Sequence, residues 1–283
     1  MSLKRKLHFR TLCALYWLKD KLGSRHYRQL TDKDLKASRK SDTVFIFGSG
    51  YSLHDISGRE WERISGHDTL AFNWFVYQDW IRVDYHVFKE LSPDDLDPEV
   101  WKVALEKFAL LVRNNPHYRE TIFIVQGGYR GINGNRLIGM KLLPEGSPIF
   151  RFFIKSRGIY EAPSRSLSDG LVHGPASLVT AVNFAYALGW KKIVMAGVDL
   201  YDRRYFWLGK DETRAVDSIR SSTYKDKHNT ADRLVPYLGK WNELMNREGI
   251  QLYVYNPRSL LAQVLPVYQL EATGNQADKK VLK

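Results

Sequence analysis

A mostly parallel α/β sheet with helices on both faces is predicted by three features of the chain. Short β-rich apolar runs stop abruptly at Gly, Asn or Asp, segments of helical period separate those runs, and polar residues gather just past the run ends. Alternation of this kind requires crossover connections, and crossovers give parallel strands with helices packed on either side. In chain order, strands are expected at residues 43–47, 69–72, 85–88, 121–125, 192–196 and 251–255, and helices at 54–65, 98–113, 176–188 and 231–248. The first run, Thr43-Val44-Phe45-Ile46-Phe47, closes on Gly48-Ser49-Gly50, the punctuation that opens a Rossmann-like domain. Residues 127–174, rich in Gly, Arg and aromatics, break the alternation and read as a loop-rich cap beside a cleft. The expected layout is a basic extension over 1–40, a Rossmann-like domain over 41–270 carrying that cap, and a polar flexible tail over 271–283.

Composition narrows the class. With 44% hydrophobic and 13% aromatic residues in 283, the chain has enough apolar material for a sizeable core and is not a disordered sequence. The single cysteine, Cys13, has no partner for an internal disulfide or a cysteine-rich metal site, so a reducing compartment, the cytoplasm, is expected.

Charge is distributed unevenly. Residues 1–40 hold 12 of the 43 Lys and Arg against Asp20, Asp32 and Asp34, which places +9 of the net +12 in the extension. A basic arm on a near-neutral body is suited to an anionic surface. Within it Leu3, Leu7, Leu15, Leu18 and Leu22 recur at helical spacing. Phe9, Leu12, Tyr16 and Trp17 are expected to widen one apolar stripe, with Lys4, Arg5, Lys6, Lys19 and Lys21 around it. The apolar stretch is too short to span a bilayer and lacks a small-residue cleavage site. The expectation is therefore peripheral contact with the inner membrane face, against packing on the body or on a second subunit.

The turns after the strands carry the candidate chemistry, because ligands of open α/β sheets bind beyond the carboxyl ends of the strands. Gly48, Ser49, Gly50 and Ser52 form a G-x-G turn whose backbone can approach a phosphate. Leu53 at the third glycine position, and no acidic residue near Asn73, weaken a dinucleotide reading. Asn73 ends the second strand with an amide that both donates and accepts. Asp199 closes Gly197-Val198-Asp199, with the phenols of Tyr201 and Tyr205 just beyond, where they can hydrogen-bond a departing phosphate. His228 precedes the last helix, a place where an imidazole can stay neutral and act as a base. Asn256 and Ser259 follow the final strand. The D-x-D patterns at Asp32 and Asp95 do not follow strands, and zinc and P-loop motifs are absent, so no metal site is expected.

Together these blocks resemble the bacterial sialyltransferases of glycosyltransferase family 42. The likeness runs from Val44 to Pro266 and is strongest from Ser177 to Ala262. It rests on the Gly48 to Leu53 turn, on Asn73, and on Ser177 with Ala187-Leu188-Gly189 downstream. Gly197-Val198-Asp199-Leu200-Tyr201 with Tyr205, His228-Asn229-Thr230, and Asn256 followed by Arg258-Ser259-Leu260-Leu261-Ala262 complete it. Departures are Ser49 and Arg258 where the family has Asn, Gly174 where it has a basic residue, and Lys89 near another expected Asn.

The resemblance implies a GT-A-like sialyltransferase variant of the Rossmann-like fold and an inverting, metal-independent transfer. A sialic acid or related keto-sugar acid would pass from a CMP donor to a glycan or lipid-linked acceptor in polysaccharide biosynthesis. His228 is then the base, Tyr201 and Tyr205 assist the leaving phosphate, and Gly48, Ser49, Gly50, Ser52, Asn73, Ser177, Asp199, Asn256 and Ser259 hold the donor. No cofactor beyond the CMP-sugar substrate and no nucleic-acid partner is expected, while homo-oligomerisation stays open. Two other classes compete: a basic nucleic-acid-binding protein, and a diphosphokinase-like enzyme sharing the G-x-G-x-S-L turn.

Overall fold

The structure is a computed structural model and describes residues 3–89, 98–156, 161–201, 204–209 and 230–270. His228 and the 271–283 tail lie outside the described residues. Eight strands form one parallel sheet: β1 (Arg28–Gln29), β2 (Thr43–Phe47), β3 (Asp68–Phe72), β4 (Tyr85–Phe88), β5 (Ile122–Gln126), β6 (Pro148–Phe152), β9 (Lys192–Ala196) and β10 (Gln251–Val254). Their order across the sheet is β1-β6-β5-β4-β3-β2-β9-β10. The helices are α1 (Leu3–Gly23), α2 (Asp32–Ser38), α3 (Gly58–Ile64), α4 (Pro98–Asn114), α5 (Ile132–Gly139), α6 (Ser177–Leu188) and α7 (Thr230–Asn246). This is the Rossmann-like architecture expected from the sequence.

Alternation explains the two cores. Val44 and Ile46 of β2 point into a cluster with α6 and α7, where Val182, Phe184, Leu238 and Trp241 are buried. Phe45 and Phe47 point the other way, into a cluster with Tyr16 of α1, Phe108 of α4 and Ile138 of α5. Every residue of β2, β3 and β5 is buried, as a parallel sheet covered on both faces demands.

Local signals account for several differences from expectation. The helix expected at 54–65 is split: a 3-10 turn over Tyr51–Asp55 precedes α3, because Ser57 and Glu60 form a reciprocal capping box that starts a new helix. The 127–174 segment contains α5, sheet strand β6, and a small parallel pair, β7 (Ile154–Ser156) with β8 (Leu171–Val172). The described part of the basic extension is built into the body. β1 extends the sheet edge beside β6, with Arg28 N–H donating to the Ser147 carbonyl at 3.1 Å and Leu30 N–H to Ile149 at 2.8 Å.

The single apolar stripe expected on α1 is divided between two faces. Cys13 and Tyr16 are buried with Asp20, whereas Leu7, Leu15, Leu18 and Leu22 face outward. Spacing of leucines alone did not reveal this, since two apolar faces on opposite sides of a helix offset one another in a one-stripe reading.

His86, in the middle of β4, is fully buried among Phe108, Tyr118 and Phe123, with Nδ1 3.1 Å from the Tyr118 hydroxyl. Burial drives its pKa from the ordinary 6.5 down to about 3. The unfolded chain therefore binds a proton that the folded chain refuses between those values. The stabilising contribution is present above about pH 6.5 and is lost as pH falls toward 3, at about 1.4 kcal/mol per pH unit. His86→Phe is expected to flatten the fall in denaturant-measured stability between pH 6 and pH 4 by about one proton. Equal slopes for the two proteins would show that another group is responsible.

Candidate functional site

The sheet order fixes where a ligand crevice lies. From β2 the chain winds through β3, β4, β5 and β6 in one direction, and then returns on the other side of β2 as β9 and β10. The reversal makes the β2–β9 boundary a topological switch point. Residues just past the carboxyl ends, Gly48, Asn73, Lys89, Gly197 and Asn256, line one edge of the sheet, with neighbouring strands about 4.8 Å apart. α6 runs back toward the amino-terminal edge, where β9 begins, so Ser177 at its first turn sits on the same edge as those turns.

At the switch point itself the two turns are bonded to each other. Gly48 N–H donates to the Ala196 carbonyl at 2.8 Å and Gly50 N–H to Gly197 at 2.7 Å. A Cβ on Gly50 would lie 2.7 Å from the Gly197 carbonyl oxygen, backbone that cannot give way without breaking the junction, so glycine is required for this approach. The G-x-G pattern thus serves contact between two turns, a demand that a phosphate-cradle reading of the glycines did not include.

Asp199 is the brace of this junction. It is 3% exposed, and its carboxylate accepts from Ser52 N–H at 2.9 Å, from the Ser52 hydroxyl, and from Asn256 Nδ2 at 3.3 Å. One side chain thereby fixes the exits of β2, β9 and β10. Ser259, also buried, donates its hydroxyl to the Val198 carbonyl and accepts from Leu261 N–H. Ser52, Asp199 and Ser259 act by holding backbone in place.

The groups facing outward differ in character. Tyr201 is 41% exposed, and its hydroxyl accepts a hydrogen bond from Asn256 Nδ2 at 3.1 Å, which leaves its own proton to donate. The Arg258 guanidinium lies 5.9 Å from the Tyr201 ring centre and pairs with Asp55. Tyr205 is half-buried, pairs through its backbone with Gly50, and stacks on Trp207 at 4.2 Å, which in turn stacks on Tyr77 at 4.9 Å. Ser49, half-buried, gives its carbonyl to Phe206 N–H at 3.2 Å. Tyr255 ties β10 to α3 by donating to Glu60 Oε1 at 2.6 Å, and that bond, ahead of the Ser57 contacts, holds the Glu60 carboxyl below its usual range.

Two backbone positions at this edge are strained. Asn73 has φ 53° and Leu200 has φ 63°, left-handed values that side-chain-bearing residues seldom adopt. The Asn73 amide oxygen is buried and has no hydrogen-bond partner. A buried acceptor without a donor costs stability that folding alone does not recover, and such groups collect at binding sites.

Two residues at the same edge carry chemistry that motif reading missed. Lys89, immediately after β4, is 3% exposed, with Nζ 2.8 Å from Nε2 of His173. His173 Nδ1 lies 3.0 Å from the Thr180 hydroxyl of α6. In the sequence Lys89 stands only as a departure from the family pattern, and no motif marks His173. The available signal is a lysine directly following Tyr85-His86-Val87-Phe88, a strand whose every residue is buried, as Lys89 is too. Among the described residues, no three His, Cys, Asp or Glu side chains gather as a metal-ligand set.

No protein-family model matches the sequence, and no curated protein matches it in sequence. Among solved structures the chain is similar to the monofunctional alpha-2,3-sialyltransferase Cst-I from Campylobacter jejuni, at 14% identity over 86% of this chain and 88% of that chain, with a TM-score of 0.47.

Proposed function

We propose that this protein is an inverting glycosyltransferase that moves a sialic acid or related keto-sugar acid from a CMP donor to a glycan or glycolipid hydroxyl. Support comes from the shared order of the family-like blocks in the sequence and from the convergence of the turns at Gly48, Asn73, Ser177, Asp199 and Asn256 on one sheet edge. The observation that carries the reading is the buried, unpartnered acceptor of Asn73 on a strained backbone beside that switch point. An amide so placed can accept from a donor group of a nucleotide or sugar.

In the proposed reaction the acceptor oxygen attacks the anomeric carbon while His228 takes its proton. The bond from that carbon to the phosphate oxygen breaks, and CMP leaves with the electron pair. Tyr201 donates a hydrogen bond to the growing phosphate charge, assisted by Tyr205, so no metal is assigned a step. Gly48, Ser49, Ser177 and Asn73 seat the donor, and Asp199, Ser52, Asn256 and Ser259 keep the turns that carry them in register.

Thermal unfolding in the presence of CMP, CDP, UDP, GDP, ATP with magnesium, or NAD tests the branch. Cytidine nucleotides are expected to stabilise selectively, by about 2.7 kcal/mol at 100 times the dissociation constant. Preferential stabilisation by ATP with magnesium would favour the diphosphokinase-like reading. A response to duplex DNA alone would favour the nucleic-acid reading.

A further inference from the structure

The body-facing side of α1 is locked. Asp20 pairs with Arg151, and Arg136 of α5 is sandwiched between Tyr16 and Trp101, with its guanidinium 4.8 Å and 4.0 Å from the ring centres. A Cβ on Gly23 would lie 2.4 Å from the Ile138 carbonyl oxygen, so α1 and α5 meet backbone to backbone. Tyr129 donates to the Arg10 carbonyl at 2.9 Å. These contacts fix the rotation of the helix, and with it the side it presents to solvent.

That outer side is apolar and bordered by cations. Leu7, Leu15, Leu18 and Leu22 fall on one stripe by the 3.6-residue period, directly opposite Cys13, Tyr16 and Asp20. Leu7 and Leu22 are each 66% exposed and Leu18 is 56% exposed. Together with Trp17 these residues make up five of the eleven large exposed hydrophobics among the described residues, all on one helix. By the same period exposed Arg10 and Lys21 border the stripe on one side and exposed Lys19 on the other. Lys21 lies 5.6 Å from the Trp17 ring centre and Lys19 5.4 Å from the Tyr16 ring centre.

We infer that this outer face of α1 lies in the headgroup region of an anionic bilayer, parallel to the membrane plane, with the protein body on its far side. Apolar surface of this density on a helix seated in a folded body requires an occupant. The two cationic borders select anionic lipid over a second copy of the chain, because two copies would bring like charges together. Leucines would enter the acyl boundary while the lysine and arginine stems reach up to phosphate groups. Trp17 at the border has the amphipathic ring that favours an interface. Among the described residues no helix is long and apolar enough to cross a membrane, which suits a helix lying on the surface. The inference does not depend on the identity of the sugar donor.

The test is cosedimentation of the full-length protein with phosphatidylcholine vesicles, with and without phosphatidylglycerol, at low and high salt. Selective binding to the anionic vesicles that weakens with salt is expected. Lys19→Gln/Lys21→Gln should weaken binding about 25-fold, roughly fivefold per charge. Leu15→Ser/Leu18→Ser/Leu22→Ser should weaken it at least about 30-fold while leaving the circular dichroism melting curve unchanged, since these side chains already face water. Wild-type protein that stays in solution with anionic vesicles would overturn the inference, as would leucine variants that bind undiminished. A dimer in light scattering that the leucine variants convert to monomer would assign the face to self-association instead. Duplex DNA binding that depends on the lysines but not the leucines would assign it to nucleic acid. Should the triple leucine variant melt early, the lysine pair and the salt series decide the matter.

Discussion

Asp199→Ala is expected to destabilise the protein by about 3 kcal/mol and to abolish stabilisation by cytidine nucleotides. The carboxylate it removes accepts from Ser52 N–H, the Ser52 hydroxyl and Asn256 Nδ2 inside a 3% exposed pocket of backbone. Each buried donor left without an acceptor costs about 1–3 kcal/mol, and the serine hydroxyl can recover part of this by rotating. The functional loss follows because the same carboxylate holds three strand exits in register. A double-mutant cycle with Ser52→Ala should show a coupling of about 1–2 kcal/mol in denaturant melts. Additive effects would mean that the junction is held by the backbone bonds of Gly48 and Gly50 alone. Asp199→Asn should be only partly tolerated, since an amide presents one acceptor where the pocket offers three donors.

In a transfer assay with a CMP-activated keto-sugar acid, His228→Ala is expected to lower kcat by about 10²- to 10⁴-fold, the usual contribution of a general base. Tyr201→Phe should cost about 10²- to 10³-fold, by analogy with removal of one oxyanion donor. The two variants should fail differently. Loss of the base should remove the acidic limb of the pH–rate profile, while loss of the phenol should preserve the profile and lower its plateau. Tyr201 bears on this directly: it is exposed, and its hydroxyl is positioned by Asn256, so Asn256→Ala should reproduce a fraction of the Tyr201→Phe loss without touching the reacting atoms. Full turnover in both His228→Ala and Tyr201→Phe would refute the proposed mechanism.

Much of the scaffold was readable because parallel strands announce themselves locally. Val44–Phe47 and Ile193–Ala196 are continuous apolar runs stopped by a glycine, Tyr85–Phe88 is apolar but for His86 and is stopped by Lys89, and all three occupy those positions in the sheet. The Gly189 stop of α6 was equally plain, with φ 96° at the end of an A-L-G sequence. The Ser57–Glu60 capping box was present in the sequence but was overridden by a continuous apolar period across residues 54–65. β1, two residues long, carries no period at all and exists only because β6 offers it an edge. At the candidate site the turns were legible and their division of labour was not. Ser52 and Asp199 look like ligand groups in the sequence, yet they bond to one another across 147 residues of chain, and Gly50 bonds to Gly197.

By itself the sequence determined six of the eight sheet strands, the long helices between them and that their polar turns share one edge, because apolar period and turn chemistry act over a few residues. Only the tertiary structure decided which polar groups bind one another and which stay unpartnered, as at Asp199 and Asn73, and which side of α1 faces water. Those outcomes depend on contacts between residues more than a hundred positions apart, such as Asp20 with Arg151, whose energies exist only once the sheet has brought the partners together.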